Sequence, residues 1–370
     1  MSCSRVRLDI DLDALRGNIG RICSRVAPCR LIAVLKANAY GTGVREVAEA
    51  VKSAGVSCFA AADVNEAEEL SKAGLPVLIL GALQPGEAEE AVSRGFICAV
   101  TGYDEALLLS EAARKTGRTA LCHLKIDTGM GRFGMVCASA MEEIEKIFFL
   151  PGLRICGMFS HLSSAVAPGD AYTLEQIARF KELAAKLAGK GLDLRDVHIA
   201  ASGGIAYFPE THLPPFTMIR CGLLMYGVDS SYAAGFPGLE QVLTLKTRLA
   251  AVRKLSSGSC VGYGHTFKLS SPALVGTVYG GYADGVPLAL TNRGNVIVDG
   301  VTCPVIGRVC MDYLMVLLDS VPSARPGDEV VLVGASGGSR ITFNDWAALK
   351  GTHVHEILCS IGNRVERCCS

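Results

Sequence analysis

The chain has 370 residues, half of them apolar and 19% charged, enough for substantial burial and more than one core normally organises, so two domains are expected. Basic and acidic residues balance at 36 each with no basic run, which argues against a nucleic-acid or anionic-membrane partner and for a small molecule. No apolar stretch approaches a bilayer span, Met1 to Leu15 lacks the pattern of a secretion signal, and the fifteen cysteines, single except for Cys368-Cys369 at the tail, form no CxxC pair, so a cytoplasmic protein with reduced thiols and no metal is expected.

From Leu31 to about Gly227, short apolar runs alternate with helical patterns. The expected strands are Leu31 to Leu35, Cys58 to Ala61, Val77 to Leu80, Ile97 to Val100, Ala120 to Ile126, Leu153 to Phe159, Val197 to Ala200 and Phe216 to Ile219. Helical patterns lie between them at Asn65 to Ala73, Asp104 to Lys115 and Leu174 to Gly189, the last with Ile177, Phe180, Leu183, Ala184 and Leu187 on one face. Eight such units fit an α/β fold of the (β/α)8 TIM-like barrel type better than an open sheet. After the glycine- and proline-bearing joint Ser230 to Gly238, short strand patterns separated by turn residues indicate a mostly β C-terminal domain. They are Val242 to Val252, Ala273 to Tyr279, Asn295 to Val298, Thr302 to Ile306, Leu314 to Leu318 and Glu329 to Val333.

Polar residues cluster where the barrel strands end. Lys36 and Tyr40 follow the first strand, Lys125, Asp127 and Arg132 the fifth, His161 the sixth, Ser202-Gly203-Gly204 the seventh and Arg220-Cys221-Gly222 the eighth. Each has an ordinary reading: a solvated lysine, a satisfied core histidine, a serine cap. Together at the carboxyl face of a barrel they read as a site. Lys36 follows the five apolar residues Leu31 to Leu35, a setting that eases deprotonation and imine formation with an aldehyde cofactor. The loops after the last two strands are the usual place for a barrel's phosphate site. Phosphate plus an imine-forming lysine indicates pyridoxal 5'-phosphate. Arg220 at its ring nitrogen would keep that nitrogen unprotonated and weaken electron withdrawal, which suits proton return more than transamination.

Four motifs, Ala33 through Gly41, His123 through Gly134, Gly280 through Gly285, and Val309-Cys310-Met311-Asp312, are similar to those of the bacterial alanine racemase family, a resemblance running from about Val6 to Arg367. It implies a barrel over residues 10–234, a β domain made of residues 1–9 plus 235–370, a homodimer with shared active sites, and D-alanine biosynthesis for the cell wall. It makes Lys36 the Schiff-base lysine and one catalytic base. Tyr263, in Val261-Gly262-Tyr263-Gly264, becomes the opposite base, donated by the partner subunit, with His161 in contact with it. Inversion needs a proton removed from one face of Cα and returned from the other. Arg132 resembles the arginine that holds the cofactor's phenolic oxygen and the substrate carboxylate. Lys125 matches the lysine often carbamylated in the family, the plain alternative being a surface pair with Asp127. Tyr40, Ser202, Gly222 and Leu223 match phosphate contacts, and Met311 and Tyr282 match partner-chain residues lining the substrate site and its entrance.

The chain also departs from the family pattern. His355 stands where tyrosine is usual, Ala201 precedes the phosphate serine in place of asparagine, Thr42 replaces a histidine, and Leu288 stands where an entrance arginine is common. The smaller ring of His355 suggests activity on serine or another polar amino acid alongside alanine. Two other classes remain open: a pyridoxal-phosphate amino-acid decarboxylase of the same fold, which needs a carboxylate at the ring nitrogen, and a non-catalytic cofactor carrier, which would lack the β domain.

Overall fold

The computed structural model describes residues 4–192 and 194–370. Eight strands form one all-parallel sheet: Arg30–Val34, Cys58–Ala61, Val77–Ile79, Ile97–Val100, Ala120–Asp127, Leu153–Phe159, Asp196–His198 and Met218–Cys221. The eighth pairs with the first, and the seventh meets the eighth through Thr217 N–H donating to Val197 O at 2.9 Å and Arg220 N–H to Ala200 O at 3.1 Å. The sheet thereby closes into the expected barrel.

Sequence pattern accounts for the surrounding helices. Ala171–Gly189 begins where the Asp170 carboxylate accepts from Thr173 N–H at 2.8 Å, and it buries Ile177, Phe180, Leu183 and Leu187 against the barrel. Val64–Ser71 starts one residue before its expected position because Asp63 caps it, accepting from Glu66 N–H at 2.9 Å. Among the barrel strands, the two largest shifts fall on the last two. They run Asp196–His198 and Met218–Cys221, where apolar runs indicated Val197 to Ala200 and Phe216 to Ile219. The apolar criterion fails here because the barrel interior takes charged residues: Asp196, His198 and Arg220 are all buried. Arg220 thus lies within the eighth strand rather than beyond it.

The second sheet is built on the thirteen-residue strand Leu243–Leu255, which pairs with Ala273–Tyr279 and Glu329–Ser336. The N-terminal strand Arg7–Ile10 runs antiparallel to it and parallel to the C-terminal strand Glu366–Cys369, so both chain ends join the β-rich half. The helix Val354–Cys359 returns from this half to the barrel mouth: a side-chain carbon on Gly41 would come within 2.6 Å of Leu358 O. Among the described residues all fourteen cysteines are free thiols, and no helix is long and apolar enough to cross a membrane.

Candidate active site

Lys36 opens an unusual turn. Ala37, Asn38, Ala39 and Tyr40 all have φ between 52° and 60°, a single turn of left-handed helix in residues that are not glycine. The sequence indicated an ordinary loop; left-handed backbone costs roughly 1–2 kcal/mol per residue, so this turn must be held. Gly41 N–H donates to Ala37 O at 2.8 Å, and Ala39 N–H to Leu35 O at 2.9 Å. Glu66 accepts from Ala37 N–H at 2.7 Å, and Tyr226 and Thr42 hydroxyls both donate to Ala39 O. From the β-rich half, the Arg367 guanidinium donates twice to Gly41 O, at 3.0 and 2.8 Å. The lysine is therefore carried on a strained turn clamped from both halves of the chain. Its own side chain is solvent-exposed, so the apolar setting expected for it is not supplied by the strand before it.

Lys36 opens into a 430 Å³ cavity at the carboxyl face of the barrel, which it shares with Tyr40, Lys125, Arg132, His161 and Arg220. Ser202, Gly222 and His355 also face it. The Ser202 hydroxyl accepts from Leu224 N–H at 3.1 Å, and a side-chain carbon on Gly222 would stand 2.3 Å from the Tyr40 hydroxyl. On Gly203 such a carbon would meet Ala165 O at 1.8 Å. These glycines keep a backbone-lined hollow open at the ends of the last two strands.

The opposite wall is cationic. Arg220 Nη2 donates to Ser160 O at 2.7 Å, Ile199 O at 2.9 Å and His161 Nδ1 at 3.2 Å. Burial, then Arg220 and Arg132, hold His161 down to about 3, so it is neutral; because Nδ1 accepts from the guanidinium, its proton sits on Nε2. Lys125 is buried, 5.5 Å from the ring centres of both Phe133 and Phe159, and donates to Ile126 O at 2.9 Å. Burial and then Arg220 push its ammonium down to about 8. The surface pair with Asp127 does not form: Asp127 accepts from Gly129 and Met130 N–H at 2.8 Å and holds the Arg132 loop instead.

Tyr263, Met311 and Tyr282 lie elsewhere. They sit on the β-rich half, outside the cavity lining, with 71%, 51% and 45% of their surface exposed.

A family model described as alanine racemase, N-terminal domain, matches residues 10–230, and one described as alanine racemase, C-terminal domain, matches residues 242–369. The chain belongs to the alanine racemase family. It is 38% identical over 359 residues to the alanine racemase of Syntrophobacter fumaroxidans, covering 96% of this chain and 95% of that one. The alanine racemase structure from Streptomyces lavendulae superposes with a TM-score of 0.93 at 35% identity, covering 100% of this chain and 98% of that one. The structure from Bartonella henselae, described with covalently bound pyridoxal phosphate, gives 0.88 at 27% identity, with coverage of 99% and 100%. The protein is thus a pyridoxal-phosphate-dependent isomerase that interconverts L- and D-alanine, and neither the decarboxylase nor the carrier reading is favoured. Its residues fit the cofactor: an exposed amine, a glycine-lined hollow beside Ser202 and buried Arg220 all line one cavity. The clamp residues Glu66, Tyr226 and Arg367 were missed from sequence because each acts on backbone, and a side chain aimed at a backbone amide or carbonyl leaves no motif.

Proposed function

We propose that racemisation proceeds by two bases on opposite faces of the substrate Cα, Lys36 from one chain and Tyr263 from a second copy in a homodimer with shared active sites. The observation that carries this reading is the contrast between the Lys36 cavity and Tyr263. The cavity gathers binding groups around the exposed amine, while Tyr263, the other expected base, lies outside its lining, 71% exposed on the β-rich half. Met311 and Tyr282, exposed on the same half, would line the partner's substrate site and entrance. Covering Lys36 with those residues would also supply the apolar setting its own chain does not.

The bound cofactor supplies an electron sink that acidifies Cα. Lys36 anchors it and exchanges a proton on one face. Tyr40, Ser202, Gly222 and Leu223 would hold its phosphate, and Arg220, a donor only, would keep its ring nitrogen unprotonated. Arg132 grips the substrate carboxylate with its forked donor. His161, protonated on Nε2, donates to the phenolic oxygen of the partner's Tyr263 and favours its phenolate. Lys125, an amine held down to about 8, is primed to react with carbon dioxide, and the resulting carbamate would balance Arg132. His355, 5.8 Å from the Tyr40 ring centre, leaves room and a hydrogen-bonding edge for the serine hydroxyl alongside alanine. We place the domain division at 234/235, with residues 1–9 in the β domain, of which residues 1–3 lie outside those described. Cytoplasmic action is supported by the many single buried thiols.

The test is solvent-deuterium exchange in Tyr263→Phe. Inversion should fall by roughly 10²–10⁴-fold, while exchange without inversion persists for the one enantiomer that Lys36 serves. Undiminished inversion, or equal loss of exchange for both enantiomers, contradicts the two-base reading.

A further inference from the structure

Behind Arg220, a line of buried polar side chains runs the length of the barrel interior. Arg220 Nη1 lies 2.6 Å from His198 Nδ1, and His198 Nε2 lies 3.1 Å from His123 Nδ1. His123 Nε2 lies 3.5 Å from Asp196 Oδ2 at the amino-terminal end of the barrel, an electrostatic contact outside hydrogen-bond geometry that leaves this buried nitrogen with Asp196 as its facing charge. There Arg195 donates to Asp196 at 2.9 and 3.0 Å, and Arg30 pairs with it as well. All four members of the line are at most 3% exposed. Strand alternation places them: His123, Asp196, His198 and Arg220 are inward positions of strands five, seven and eight. A register shift after Cys122 sets Gly157 opposite His123, where a side-chain carbon would fall 2.7 Å from Nε2, so only glycine admits the ring. Phe159 stacks on His198 with 9° between ring planes and fixes its orientation.

The proton positions follow from chemistry. A guanidinium only donates, so His198 Nδ1 must accept. Burial lowers the pKa of both histidines, leaving neutral imidazoles with one proton each. The His198 proton is then on Nε2 and points to His123 Nδ1, which leaves the His123 proton on Nε2 facing the Asp196 carboxylate. Every donor in the line points away from Arg220 and toward the anion. Cys156 Sγ lies within 4.8 Å of the His123 and Asp196 donor atoms, yet Arg30, Arg154 and Arg195 line the same 310 Å³ cavity and disfavour a cation there.

We propose that Asp196, His123 and His198 form a directional relay that keeps Arg220 cationic and in one orientation at the cofactor's ring nitrogen, with Asp196 as a positioning residue acting from the far end of the barrel. Arg220 needs such support because it is fully buried near a second guanidinium, Arg132, and the groups it donates to are neutral. The relay brings a distant negative charge to bear without placing a carboxylate at the ring, where it would strengthen electron withdrawal and lengthen carbanion life. The inference rests on the proposed placement of Arg220.

Imidazole nitrogen NMR of the holoenzyme with isotopically labelled histidine tests it directly. His123 and His198 should both appear as neutral Nε2–H tautomers from about pH 6 to 9; an Nδ1–H form or titration of either ring in that range overturns the relay. Asp196→Asn should unfix the tautomers and lower kcat by roughly 10- to 100-fold, the range typical of supporting-shell losses, with KM for alanine nearly unchanged. His198→Asn keeps an acceptor for Arg220 but cannot reach His123, and should lose kcat to the same degree. Wild-type kcat in folded Asp196→Asn, or a parallel rise in KM, contradicts the proposal. If Asp196→Asn does not fold, the wild-type tautomers decide. An unchanged cofactor absorption spectrum in Arg220→Gln would instead remove the placement on which the relay depends.

Discussion

The two walls expected to face one another in the reaction are built in opposite ways. On the barrel side, Arg220 and Lys125 are 3% and 2% exposed, and Arg220 donates to its own barrel at five points. On the β-rich side, Tyr263, Met311 and Tyr282 stand in solvent. Buried cations must be paired or solvated by the fold that buries them, so the barrel wall is complete within one chain. A group of large apolar and aromatic side chains left uncovered has no such self-sufficiency, and exposed patches of this kind mark contact surfaces. The difference is the one the proposed division of tasks requires: a barrel that fixes charges and geometry, and a β-rich half that would deliver reactive and lining groups to another copy.

That division can be broken at the clamp, where one chain's β-rich half does reach its own barrel. Arg367→Met strips Gly41 O of two donors while the left-handed turn still carries its backbone cost. A loss of about 2–3 kcal/mol is expected, read as a lower denaturant midpoint and faster cofactor release on dilution. An unchanged release rate would show that the barrel alone holds the turn.

Lys125 sharpens the barrel side. Its folded pKa of about 8 lies below the unfolded value, so the charged amine weakens the fold fully below pH 8. Between about 8 and the unfolded value near 10.4 the unfolded chain holds the extra proton, and stability rises with pH by up to about 1.4 kcal/mol per unit. Lys125→Met, which keeps the stem between Phe133 and Phe159, should abolish that rise in denaturation series run without carbon dioxide. A slope equal to the wild type's would place the titration elsewhere.

The smallest effect is expected at His355, on the cavity rim. His355→Tyr should shift the ratio of serine to alanine turnover toward alanine by about 10-fold, the scale of one pocket contact. Chiral analysis of both substrates checks it, and equal loss of both activities counts against a role in selectivity.

Much of the barrel was legible because apolar runs and turn residues alternate with βα spacing, and Lys36 and Ser202 fell just beyond strand ends where barrels place chemistry. What was hidden has one cause. Asp196 and Arg220 were read out of their strands because charge inside a barrel breaks the apolar rule, and the line from Arg220 to Asp196 depends on pairings between strands distant in sequence. The left-handed turn was equally hidden, since Ala37 to Tyr40 contains no glycine to announce positive φ.

Subunit complementation tests the central claim most directly. Lys36→Ala and Tyr263→Phe, each inactive alone, are unfolded together and allowed to reassemble. If each site takes Lys36 from one chain and Tyr263 from the other, half of the dimers are mixed and one of their two sites is intact, giving about a quarter of wild-type activity. If both residues serve a site within one chain, every site in every dimer lacks one base, and the mixture stays as inactive as its parents.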